Sequence, residues 1–90
     1  MEYKITSTLK FKKDIRKLIK RDKIIISFYE KVLDILEKGS FENKIKKLKD
    51  VKKDDLGQWR IRVGQYRFRF DIEKKKIILK FVGHRIDSYR

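Results

Sequence analysis

Cysteine and proline are absent from this chain of 90 residues, and histidine and tryptophan occur once each. Without cysteine there is no disulfide framework, no thiolate nucleophile and no thiolate metal ligand. With one histidine, a metal site would need several carboxylates to converge, and the acidic residues form no ligand cluster in the sequence. Four glycines and no proline leave no flexible linker, and no internal repeat is visible. Long apolar runs are missing too, since nothing approaches the ~20 residues that span a bilayer. Met1-Glu2-Tyr3-Lys4-Ile5 lacks the basic start and apolar run of a signal peptide. A cytoplasmic protein with no membrane partner is therefore expected. Acid is scarce relative to base: 13 Asp and Glu against 27 Lys and Arg give a net charge of +14. Such a charge says nothing about fold but favours nucleic acid, a ribosome, an anionic membrane or an acidic protein as partner. A lysine-rich surface alone would account for many of the lysines, and much less well for clustered arginines.

One domain over residues 1–90 is expected, with a single core. Glu2 to Thr6 alternates like a short strand, with Tyr3 and Ile5 against charged neighbours. Ser7 and Thr8 offer an N-cap, and Phe11, Ile15, Leu18 and Ile19 then recur at helical spacing through Arg21. Asp22 offers a second cap before Ile25, Tyr29, Val32 and Leu36, with Phe28, Leu33 and Ile35 widening the stripe and Gly39 as its stop. Ser40 to Leu56 is crowded with lysine around Ile45, Leu48, Val51 and Leu56, and reads as a basic loop leading into a short strand near Lys46 to Leu48. Such a charge run is ordinarily a solvated face.

The densest signal is Trp59-Arg60-Ile61-Arg62-Val63-Gly64-Gln65-Tyr66-Arg67-Phe68-Arg69-Phe70. Glycine at the first central position of a two-residue turn suits type II′, so a hairpin folds at Gly64-Gln65. Val63 then faces Tyr66, Arg62 faces Arg67, Ile61 faces Phe68 and Arg60 faces Arg69. One face is apolar, and the other carries two opposed arginine pairs. Like charges directly opposite each other destabilise a strand pair, so an anion is expected there. Arginine is the side chain that grips phosphate in bidentate fashion. Gln58 and Asp71 give the only polar relief on that face, and Asp71 stands close enough to neutralise one arginine. The alternative is an ordinary polar sheet face whose arginine stems cover apolar surface.

A tight turn over Glu73 to Lys76 sets Ile72 opposite Ile77, Phe70 opposite Leu79 and Phe68 opposite Phe81. Lys80 then joins the basic face beside Arg69, with Ile78, Val82 and, if the strand runs on, His84. The whole reads as a two-layer α+β domain, β-α-α-β-β-β. Its sheet is mainly antiparallel, with one face covered by the helices and the other a basic groove.

Strand, two helices, basic segment, W-R-I-R-V-G-Q-Y-R-F-R-F hairpin, apolar strand and closing V-G-H-R-I-D-S-Y-R together resemble the RelE/ParE superfamily of toxin–antitoxin toxins. The likeness covers essentially the whole chain, and Phe11-Lys12-Lys13-Asp14-Ile15 resembles the family's first helix. It implies the toxin of a type II toxin–antitoxin system, a ribosome-dependent mRNA endonuclease that cuts codons in the A site. The ribose 2′-hydroxyl attacks the adjacent phosphate and the 5′-oxygen leaves, with no metal and no cofactor. Arg67 matches the family's phosphate-contacting arginine, which stabilises the charge of the transition state. Arg60 and Arg62 stand where RelE proper has lysines. They can hold phosphate with Arg69 and Lys80, but arginine stays protonated and cannot act as a base. Arg85 matches the C-terminal arginine, and Tyr89 the tyrosine proposed as general base or stacking partner. An ordinary tyrosine ionises near pH 10, so Tyr89 would need the arginines to favour its phenolate. His84 alone titrates near neutrality unaided and is the other candidate acid or base, or else a structural histidine ending the last strand. The ParE-like branch, which poisons DNA gyrase without cutting RNA, and a non-catalytic basic relic are the alternatives. The implied partners are the ribosome, mRNA and a RelB-like antitoxin whose acidic helical segment wraps the toxin in a hetero-oligomer.

Overall fold

The computed structural model describes residues 3–39, 45–47 and 57–84. Strand β1 (Lys4–Ser7) gives way to helix α1 (Leu9–Arg21) at Thr8, whose hydroxyl accepts the Phe11 backbone N–H at 3.2 Å. That cap satisfies one of the donors that a helix start leaves without a partner. Lys20 and Arg21 occupy the last turn, where cations oppose the helix dipole favourably. Helix α2 (Ile24–Lys38) follows directly, with Lys23 at its N-cap. Asp22, the expected cap, acts from one residue earlier: its Oδ1 accepts the Ile24 N–H at 3.2 Å. Gly39 ends α2 in the left-handed conformation, φ 69°, and returns its N–H to the carbonyls of Ile35 and Leu36. A side chain would be strained at that φ, which is why glycine serves as the stop.

Strands β2 (Ile45–Lys47), β3 (Trp59–Val63), β4 (Tyr66–Glu73) and β5 (Lys76–His84) complete a five-stranded sheet in the order β1-β5-β4-β3-β2. β1 lies parallel to β5, and the other neighbours are antiparallel. The mixed α+β order is the one the sequence suggests. β2 begins one residue before the expected short strand and adds an edge beside β3; Leu48 to Leu56 lies outside the described residues.

The β3–β4 register is the one read from the alternation, with Val63↔Tyr66, Arg62↔Arg67, Ile61↔Phe68 and Arg60↔Arg69. Gly64 turns with φ 59° while Gln65 keeps a negative φ, the pattern of a type II′ turn. Phe28 packs under that turn, and a Cβ on Gly64 would come within 2.6 Å of its ring.

The β4–β5 register departs from expectation halfway along. Ile72↔Ile77 and Phe70↔Leu79 pair as a tight turn demands, but a bulge between Arg69 and Phe70 shifts the rest. Beyond it Arg69 faces Phe81 and Phe68 faces Val82, not Phe81. An extra residue in one strand exchanges the two faces for everything that follows. Val82, expected on the basic face, is therefore in the core at 4% exposure, and Phe81 stands on the arginine side.

The core forms where α1 and α2 meet the apolar side of the hairpin. Phe68 is fully buried, with the Phe11 ring 6.3 Å away and the Tyr29 ring stacked on it at 6.2 Å. Burying one such phenyl ring stabilises the fold by about 1.5–3 kcal/mol relative to leaving it in water. Phe11, Ile25, Leu36, Phe70 and Leu79 are likewise closed off from solvent. This packing makes β4 the rigid centre of the sheet and fixes what its opposite face displays. Among the described residues, no helix is long and apolar enough to cross a membrane.

Candidate nucleic-acid interface

Residues directly opposite on antiparallel strands share a face, so the register writes out the arginine side as rows across the sheet. One row runs Arg60, Arg69 and Phe81. The next runs Arg62, Arg67 and Gly83. The structure thus brings Arg60, Arg62, Arg67 and Arg69 onto one side of two adjacent strands.

Their surroundings are not alike. Arg62 is exposed, and Arg60 and Arg69 are half-buried. Arg67 is 8% exposed, the buried charged residue among those described. It lies on the central strand beside Gly83, which brings no side chain of its own, and it makes further contacts within the fold. Arg69 grips the Gly57 carbonyl with two donors, Nε at 3.1 Å and Nη2 at 2.6 Å. Gly57 is shaped for that approach: its φ is +100°, and a Cβ there would lie 2.6 Å from the Phe70 backbone nitrogen.

Asp71 ties down the next residue. Its Oδ1 accepts the Gln58 backbone N–H at 2.9 Å, and its Oδ2 takes the Lys80 ammonium at 2.8 Å. The carboxylate neutralises Lys80 directly and also feels the charge of Arg69, one of the two arginines expected beside it. Burial alone would raise the Asp71 carboxyl. The hydrogen bonds from Lys80 and the Gln58 N–H, with the charges of Lys80 and Arg69, outweigh it and hold the group below the usual carboxylate range. Lys80 does join the basic face as expected, but already engaged.

His84 does not join it. The bulge puts His84 opposite Tyr66, on the helix side of the sheet, where its ring meets the Tyr66 ring edge-on at 5.2 Å. Burial and the nearby Asp22 carboxylate, which also hydrogen-bonds the phenol, hold Tyr66 above its ordinary range against the opposing Arg21 charge. A phenol so placed is a fixed proton donor rather than a base. The sheet therefore separates His84 from Arg67, and the expected histidine acid or base does not stand beside that arginine in this arrangement. Arg85 and Tyr89 lie outside the described residues.

A cleft of about 330 Å³ opens elsewhere, lined by Tyr3, Lys4, Ile5, Leu33 and Glu37 at the β1 edge. It is concave but brings no arginine, so the charged sheet face is the better candidate for an anion. Two features of that face escape a reading by alternation. Gly57 acts through its backbone carbonyl, which leaves no side-chain signature. Phe81 arrives through the bulge, and the one signal for it is Gly83, since glycine inside a strand often marks a bulge or a close approach. No family model matches the chain, and no curated protein matches it either.

Proposed function

We propose that this chain is an RNA-cutting toxin of the RelE type, acting on mRNA in the ribosomal A site and held in check by an acidic antitoxin. The observation that supports it most is the pair of directly opposed arginines, Arg62 and Arg67, with Arg67 buried on the central strand. Opposed cations cost stability unless an anion joins them, and a desolvated guanidinium acts on a phosphate far more strongly than one in water. Arg67 would contact the non-bridging oxygens of the scissile phosphate as the 2′-oxygen attacks phosphorus and the 5′-oxygen departs. Because the sheet holds it in place beforehand, little reorganisation is needed when that charge develops. The 2′-hydroxyl proton must go to a base and the 5′-oxygen must gain a proton. With His84 across the sheet, the 2′-hydroxyl proton passes in this reading to Tyr89 or to a group the ribosome supplies. A ribosomal group or water protonates the departing 5′-oxygen, and Arg85, which stays protonated, contacts the leaving group.

The position of His84 also favours a second reading, a ParE-like toxin that binds gyrase and cuts nothing, since binding needs no acid–base group beside Arg67. Primer extension on mRNA from a purified translation system separates the two. Cuts inside A-site codons that require ribosomes and vanish with Arg67→Ala are expected. Growth arrest without cuts, relieved by resistant gyrase, would replace the first reading with the second. Coexpression with the neighbouring small gene should yield a stable complex in which an acidic helical segment lies on this +14 chain.

A further inference from the structure

Phe81 is the anomaly of the arginine face. Strict alternation along β5 would bury it opposite Phe68 and turn Val82 outward; the bulge does the reverse. The chain thus leaves that phenyl ring half-buried rather than closed off in the core, in register with Arg69. Its placement is specific. The ring leans along its own strand over Gly83, where a Cβ would meet Cζ at 2.7 Å, toward the row that holds Arg62 and Arg67. An apolar ring bordered by guanidinium groups is the combination that binds single-stranded nucleic acid: the π-face takes a base and the cations take the flanking phosphates. Rows two residues apart along a strand are separated by about 6.8 Å, on the scale of one nucleotide step in an extended strand. A duplex hides its base faces by stacking them on each other and cannot use such a platform.

We infer that Phe81 is a stacking platform for one nucleobase of a single-stranded RNA laid across the arginine face, with Arg62 and Arg67 holding the phosphate beside it. The inference rests on the RNA-binding reading above and adds a base-contacting residue to it. Covering Gly83 is the ring's other possible service, and a leucine would perform that equally well.

The test is fluorescence anisotropy at fixed salt with two labelled strands, a twelve-nucleotide oligoadenylate and an abasic ribose-phosphate strand of equal length. The wild-type chain should prefer the adenylate by about five- to 140-fold, the range one base–aromatic stack provides. Phe81→Leu, which keeps an apolar cover over Gly83 but has no π-face, should bind both strands alike. Phe81→Trp should retain the preference. Equal binding of both strands by the wild-type chain, or a preference that survives in Phe81→Leu, would overturn the inference. Arg67→Ala reports separately on the reading beneath it. That variant should weaken both strands equally, and unchanged affinity for both would count against the RNA-binding face whatever Phe81 does.

Discussion

Arg62–Arg67 and Arg60–Arg69 are the same residue pair repeated two positions apart on the same two strands, yet the fold uses them differently. In the pair far from the turn, Arg69 is a tie: two of its donors close on the Gly57 carbonyl, while Asp71 next to it fastens Gln58 and Lys80. Together they pin the entry of β3 onto β4. In the pair near the turn, Arg62 is exposed and Arg67 is buried beside a bare glycine. An arginine on a sheet face becomes a backbone clamp where a carbonyl lies within reach, as Arg69 does, which its own position in the alternation does not tell.

Substitutions can break that contrast. Arg67→Ala should have the largest effect, lowering the rate of ribosome-dependent cutting by about 10²–10³, the loss typical of one transition-state donor. Its far-UV circular dichroism should stay unchanged. Gly57→Ala comes next. It forces a side chain to φ +100° and into the Phe70 backbone, and should lose about 3 kcal/mol in urea unfolding from strain and overpacking together. Arg69→Ala should cost about 2 kcal/mol in the same measurement, the range for hydrogen bonds from a charged donor. Its cutting rate per folded molecule should fall far less than that of Arg67→Ala. A large catalytic loss in Arg69→Ala with unchanged stability would abolish the distinction drawn above.

Acid sharpens the same contrast. The Asp71 carboxyl sits below its ordinary value in the folded chain, so its contribution to stability is complete above the unfolded carboxyl's pKa of about 3.9. That contribution is lost as pH falls through the lower folded value. Thermal melts from pH 6 downward should show this limb, and Asp71→Asn should flatten it. The smallest effect belongs to the other turn. Lys74 holds φ 55°, a conformation that costs a side chain and not a glycine, so Lys74→Gly should raise stability by about 0.5 kcal/mol after the entropy of the unfolded glycine is subtracted.

Local chemistry made much of this legible in advance. Thr8, Gly39 and Gly64 announce their caps and turn because each answers a constraint within a few residues. The alternation from Trp59 to Phe70 sets the hairpin register because one slipped residue would expose its whole apolar face. Illegible were the bulge, the parallel pairing of β1 with β5, and the acceptor for Arg69. Each depends on residues far apart in sequence. Phe81 shows the cost: a correct strand with a correct turn still puts the wrong side chain on the arginine face once the register shifts by one.

The sequence alone determined the strand–helix–helix–hairpin order, the apolar stripe of each element and the opposition of the arginines, because period and turn chemistry are local. Tertiary packing decided which arginine is buried, which is clamped, and which side of the sheet His84 and Phe81 occupy. The physical reason is that those outcomes hinge on the carbonyls, glycines and core volume that distant segments bring alongside.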